Sequence, residues 1–200
     1  MKLLLGSQGA NPARRGKGDP IRGFSLIELI VTLVIASIIL AFAIPSFRAM
    51  IIANRLTTAT NDIVDALNTA RVEAVKRNGN VQFCASTTSD NTTDTLGTAC
   101  STNSGAVYGL SVNSTGNTAA DQVRGTPPAL VSPLKISSTV TFTAIRFNGQ
   151  GMGMKAGTTV PFSDNVVQIC ATNISRDNIR TVALAAGSIV QVTTSSGTCS

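Results

Sequence analysis

Between residues 24 and 47 the chain is apolar except for a few short polar side chains and one charge, Glu28, in the run FSLIELIVTLVIASIILAFAIPSF. At 1.5 Å per residue, about 24 helical residues reach across a hydrocarbon core of about 30 Å. The pattern then changes while the helical signal continues. No Pro or Gly occurs between 46 and 77, and Leu56, Ala59, Ile63, Leu67, Ala70 and Ala74 recur at spacings of three or four, which places them on one helix face. Arg55, Asp62, Asp65 and Lys76 fall on the other face. The sequence KRNGN predicts the end: Lys76 and Arg77 suit the negative end of the helix dipole, and Asn78-Gly79 supplies a left-handed cap. The expectation is one helix over 24–78, roughly 80 Å long. Its first half, 24–47, is transmembrane, its second half is amphipathic, and Pro45 marks the expected kink between them.

After residue 79 the period shortens to two. Val81 and Phe83 alternate with polar residues, 140–147 is strand-like with a change of phase near Ala144, and Asn148-Gly149 is a hairpin signal. Residues 166–171, 181–185 and 189–193 read as further strands, the last two joined through Ala186-Gly187. Segments 87–103, 113–125 and 126–133 read as loops from their Ser, Thr, Asn, Gly and Pro content. The predicted class is α+β: a long N-terminal helix whose amphipathic half packs on a C-terminal antiparallel β-sandwich-like domain, residues 79–200.

Composition narrows the chemistry. The chain is 43% hydrophobic but only 4% aromatic, so the core must be built from aliphatic side chains. Histidine is absent, which removes every mechanism that needs imidazole as base, acid or ligand. Of the net charge of +6, residues 1–23 supply +4, from Lys2, Arg14, Arg15, Lys17 and Arg22 against Asp19. From residue 80 onward six basic residues face five acids, a net of +1 that argues against a DNA partner. Basic residues beside a span stay on the cytoplasmic side, so the C-terminal domain is expected in the periplasm. A plain single-pass anchor whose Glu28 snorkels to an interface is one competing reading, and an ordinary signal peptide, with AFA at 41–43 as its cleavage site, is another. Against the signal peptide stand the length of the run, the acid within it, and Pro45 just past the cut.

Four cysteines, Cys84, Cys100, Cys170 and Cys199, allow three pairings. The local scheme, Cys84 with Cys100 and Cys170 with Cys199, is the simplest. A metal reading fails for want of a CxxC pair or any His, and none is expected. GMGMKA at 151–156 matches GxGxxA but GTTVPF follows it, with no helix to receive a phosphate, so a β-turn is the better reading. Asp90 and Asp94 lack the ligand density of a calcium site, and no GxSxG occurs. No enzyme and no cofactor is expected.

The basic leader, Gly23, and the run opening FSLIELIV together resemble the class III signal and N-terminal helix of type IV pilins and type II secretion pseudopilins. The resemblance implies that a prepilin peptidase removes residues 1–23 by cutting between Gly23 and Phe24, and that Phe24 is then N-methylated. It also implies that Glu28 is an assembly register, paired with the N-terminal amine of a neighbouring subunit. Opposite charges would then meet where screening is weak. NRLTTATNDIVDALNTARVEAVKRNGNVQFCAS, IRFNGQG, VQICA, IRTVAL and GSIVQV are similar to the GspH/FimT-type group, which includes the minor pilin FimU. The implied role is a structural minor pilin that helps to initiate or prime a type IV pilus and sits at or near its tip. A minor pseudopilin of type II secretion is the alternative, and a DNA-binding pilin for natural transformation is the second. In that last branch a Gly-Arg-x-Arg element contacts DNA, whereas Gly187-Ser188-Ile189-Val190 stands here. The implied partners are other minor and major pilins, the prepilin peptidase, an inner-membrane assembly platform and inner-membrane lipid. The implied location is the inner membrane by a single pass, followed by incorporation into a pilus or pseudopilus.

Overall fold

The computed structural model describes residues 23–101, 103–112 and 118–199. Except for Gly23, the leader expected at 1–23 lies outside them. The chain divides into two compact units, Met1–Ala43 and Ile44–Ser200. Helix α1, Leu26–Arg77, begins in the first and ends in the second, and its helical residues run on through Pro45.

In the second unit α1 buries Leu56, Thr60, Ile63, Ala66, Leu67, Ala70 and Ala74. Ala59, expected on this stripe, is half-buried, and Thr60 takes part instead. Its burial leaves no polar group unsatisfied, because the hydroxyl donates to the Leu56 carbonyl at 2.7 Å. The helix ends as expected, with the left-handed residue at Asn78 (φ 47°). The Asn78 N–H donates to Val75 O and the Gly79 N–H to Ala74 O, both at 3.1 Å, which is the Schellman pattern. Gly149 is needed nearby, since a Cβ there would stand 2.6 Å from Asn78 Oδ1.

Among the described residues nine strands follow: β1 Val81–Phe83, β2 Val107–Val112, β3 Thr118–Arg124, β4 Leu134–Ile136, β5 Ile145–Phe147, β6 Gly153–Lys155, β7 Asp164–Ala171, β8 Ile179–Ala185 and β9 Ile189–Ser195. They form a five-stranded sheet in the order β3-β2-β1-β5-β6 and a four-stranded sheet in the order β4-β7-β8-β9. Every strand pairing is antiparallel. One hydrophobic cluster joins the α1 stripe to both sheets, with Phe83, Ile145 and Phe147 from the first and Val166, Val167, Ile169, Val182 and Leu184 from the second. The α+β class is thus observed.

The change of phase near Ala144 has a physical origin in a crossing between the sheets. Val140 O accepts from Gln168 N–H and Thr143 N–H donates to Val166 O, both beside β7. Ala144 O then accepts from Ala156 N–H, and Ile145 pairs with Phe83 in the other sheet.

Two of the three predicted loops are corrected. Within 87–103 lie a 3-10 turn, Thr88–Asn91, and helix α2, Thr95–Cys100. The start of α2 is fixed by Asp94, whose carboxylate accepts from the Gly97 N–H at 2.9 Å. Within 113–125, β3 is a full edge strand, and 113–117 lies outside the described residues. Its polar sequence TAADQVR hid it, because β3 is held by β2 and by ion pairs to α1, Arg124 with Asp65 and Asp121 with Arg77. GMGMKA contains strand β6 rather than a turn alone. Segment 126–133 contains no helix or strand.

Candidate functional site

Across 24–47 the polar positions are Ser25, just before α1, and Glu28, Thr32, Ser37 and Ser46 within it. The Thr32 hydroxyl donates to Leu29 O at 2.9 Å and the Ser37 hydroxyl to Val34 O at 2.7 Å, so both are satisfied within their own helix. Ser25 is the N-cap: its Oγ accepts the Glu28 N–H at 3.2 Å and its carbonyl accepts the Leu29 N–H at 3.1 Å. Ser-x-x-Glu is the capping-box spacing, legible in the sequence and not exploited there. Glu28 therefore occupies the first turn, where the positive end of the helix dipole favours an anion. Among the described residues its carboxylate has no hydrogen-bond or ion-pair partner.

Apart from Ser25 and Thr32, each within a helical turn of it, the surface around that carboxylate is apolar. Phe24 is 74% exposed, Leu26 77% and Phe42 76%, and the large side chains between them are all exposed. Gly23 and Phe24 precede the helix, and nothing lies within 4 Å of where a Gly23 Cβ would stand. A chain with this stripe must cover it, with lipid or with another protein. By length and composition α1 is the one helix among the described residues able to cross a membrane.

In the β-rich part the cysteines pair locally, Cys84 with Cys100 and Cys170 with Cys199. The first closes a segment around a polar cluster that sequence reading missed. Gln82 and Asn91 are fully buried there, and Gln82 donates to Asn91 O at 3.1 Å. Arg146 donates to Gln82 Oε1 at 2.6 Å and to both Asp94 oxygens, at 2.6 and 2.9 Å. The Arg146 hydrogen bonds hold the Asp94 carboxyl down to about 2, against the opposing effect of burial. Asp94 is thus a cap and an ion-pair partner, and Asp90 accepts from the Thr87 hydroxyl. No group of acids or thiols able to hold a metal occurs among the described residues. The four polar residues were invisible as a unit because 64 positions separate Gln82 from Arg146.

Basic residues do not gather into a phosphate-binding patch on β6 and β8. Arg180 stands near the start of β8, whereas Gly153, two residues from Lys155, donates to the Gly187 carbonyl beyond its far end. The turn between β8 and β9 is Ala186-Gly187, with φ of 48° and 67°, and neither it nor Ser188-Ile189 carries an arginine.

Comparison with known families agrees with this division. The prokaryotic N-terminal methylation motif matches residues 20–44, the stretch holding Gly23, Phe24 and Glu28. The family described as type II transport protein GspH matches residues 59–188, from the amphipathic half of α1 through both sheets. No curated protein and no solved structure gives a match. With a capped, exposed apolar helix at its start and nearly two-thirds of its length covered by one family profile, the chain belongs to the GspH family of pilin-like minor subunits.

Proposed function

We propose that this subunit helps to initiate a type IV pilus and takes a position at or near its tip, as a structural component without catalysis. The observation that carries the reading is the exposed stripe of α1 with a single carboxylate, unpartnered among the described residues, near its capped start. A bilayer covers such a stripe before assembly, and neighbouring helices cover it afterwards. Processing between Gly23 and Phe24 would free an amine within a few residues of Glu28. N-methylation of Phe24 keeps that amine basic. The carboxylate of one subunit and the amine of the next then relieve each other's burial, so a subunit out of register leaves a charge unpaired. Partners are other pilins and the assembly machinery of the inner membrane, where a single-pass anchor fits the methylation motif and the one apolar helix.

The family description favours a second reading, a minor pseudopilin of type II secretion. Deleting the gene separates the two: lost piliation with normal secretion supports the first, and lost secretion with normal piliation supports the second. Intact-mass measurement of the mature chain tests processing itself. A mass starting at Phe24 plus one methyl group is expected, and a start at Ile44 sinks both readings. A DNA-receptor role has the least support, since β8, its turn and β9 lack the arginine pair of that branch.

A further inference from the structure

Three arginines stand where the chain leaves the apolar run. Arg48 follows residue 47 directly and is exposed. The segment before β8 lies beside the same stretch of α1: Asn173 shares a hollow with Pro45 and Arg48, and Ser175, Arg176 and Arg180 share a groove of about 590 Å³ with Ala49, Met50 and Ala53. Arg176 is exposed, and the Arg180 guanidinium is propped outward on the Asp177 carbonyl at 2.7 Å. Among the described residues none of the three pairs with a carboxylate, and the one acid in the groove is Asp177.

Depth along the helix makes this collection specific. Residues 48–53 rise about 9 Å beyond the end of the apolar run. The headgroup layer on each side of a bilayer is about 5–8 Å thick. Guanidinium groups at that level meet lipid phosphates. The charges also run against the usual placement of basic residues on the cytoplasmic flank, so retention of the leader side does not explain them.

We propose that Arg48, Arg176 and Arg180 form a lipid-binding collar that seats the folded domain on the anionic headgroups of the periplasmic leaflet. The collar holds the unassembled subunit at a fixed height and is given up on extraction into a filament. This inference rests on the single-pass inner-membrane reading.

The test uses the full mature chain in lipid nanodiscs. Because the chain has no Trp, Ser175→Trp is a unique reporter on an exposed position. Quenching by brominated lipid should be about twofold stronger in discs containing phosphatidylglycerol than in phosphatidylcholine discs, and high salt should abolish the difference. Arg176→Gln with Arg48→Gln should remove it, and the matching lysine variants should keep it, which separates lost charge from lost folding. Equal quenching in both lipids, or a difference that survives the glutamine variants, overturns the collar while leaving the anchor intact. Failure to enter any bilayer overturns the anchor, and the collar with it.

Discussion

The two halves of α1 share one backbone hydrogen-bond pattern and differ in what they do with apolar surface. Up to Ala43 the large side chains all face outward, and the hydroxyls bond back to their own helix. From Leu56 to Ala74 the apolar residues, Val72 apart, narrow to one stripe that both sheets cover. An all-round apolar helix has no preferred side, so only an outside medium or a ring of neighbours can satisfy it. An amphipathic helix carries its partner in its own chain. A helix of this kind therefore separates anchorage from folding, and damage to one half should spare the other.

The largest expected effect tests the first half. Glu28→Ala should leave membrane levels unchanged, since the charge no longer has to be desolvated. Incorporation beside partner pilins should nearly vanish, because the neighbour's amine is left buried and unpaired, a cost of about 3–5 kcal/mol. Yield in sheared filaments at matched membrane levels measures it, and unchanged yield removes Glu28 as the register.

Leu67, fully buried, tests the second half. Leu67→Ala should cost the domain about 2–5 kcal/mol, read as a lower denaturant midpoint, whereas Leu33→Ala should change it by no more than about 0.5 kcal/mol. Equal losses would mean that the halves are not energetically separate.

Replacing Cys170 and Cys199 by serine should cost about 2–4 kcal/mol of domain stability and leave membrane insertion untouched. The bridge links residues 29 apart and ties the chain end to β7. Thermal unfolding with and without reductant measures the difference.

The smallest effect comes from Asp94. Its folded carboxyl titrates at about 2 against an ordinary 3.8, so it stays ionised where the unfolded form has already taken a proton. The stability it adds is complete above about pH 4 and is lost as pH falls toward about 2. Because the side chain is 48% exposed, solvent screening limits this to about 1 kcal/mol. Arg146→Gln should flatten the acid limb of the stability curve by that amount, and an unaltered limb would show that the pair contributes nothing.

What was readable along the chain follows the range of the force involved. The apolar run, the buried stripe, the Asn78-Gly79 stop and β7 to β9 were legible because each rests on neighbours within a few positions, where hydrophobic period and backbone preference act. The simplest cysteine pairing also proved to be the one adopted, since both partners lie close in sequence. Helix α2 was missed because six residues containing a glycine carry almost no periodic signal. Its cap at Asp94, its buried Leu96 and its bridge through Cys100 hold it. Strand β3 was missed because its partners, β2 and the Asp65 and Arg77 side chains of α1, are brought to it by the fold.

The sequence alone determined that this chain has an apolar helix it cannot bury itself, a helix face that it can, and an acid at the start of the first. Those follow from the order of side chains on a 3.6-residue period. The tertiary structure decided that the chain leaves the side of β7 for the other sheet near Ala144, that Gln82, Asn91, Asp94 and Arg146 form one buried-to-surface network, and that Arg48 stands in the same neighbourhood as Arg176 and Arg180. No local preference encodes these meetings, because they depend on which distant surfaces remain to be paired once the core has closed.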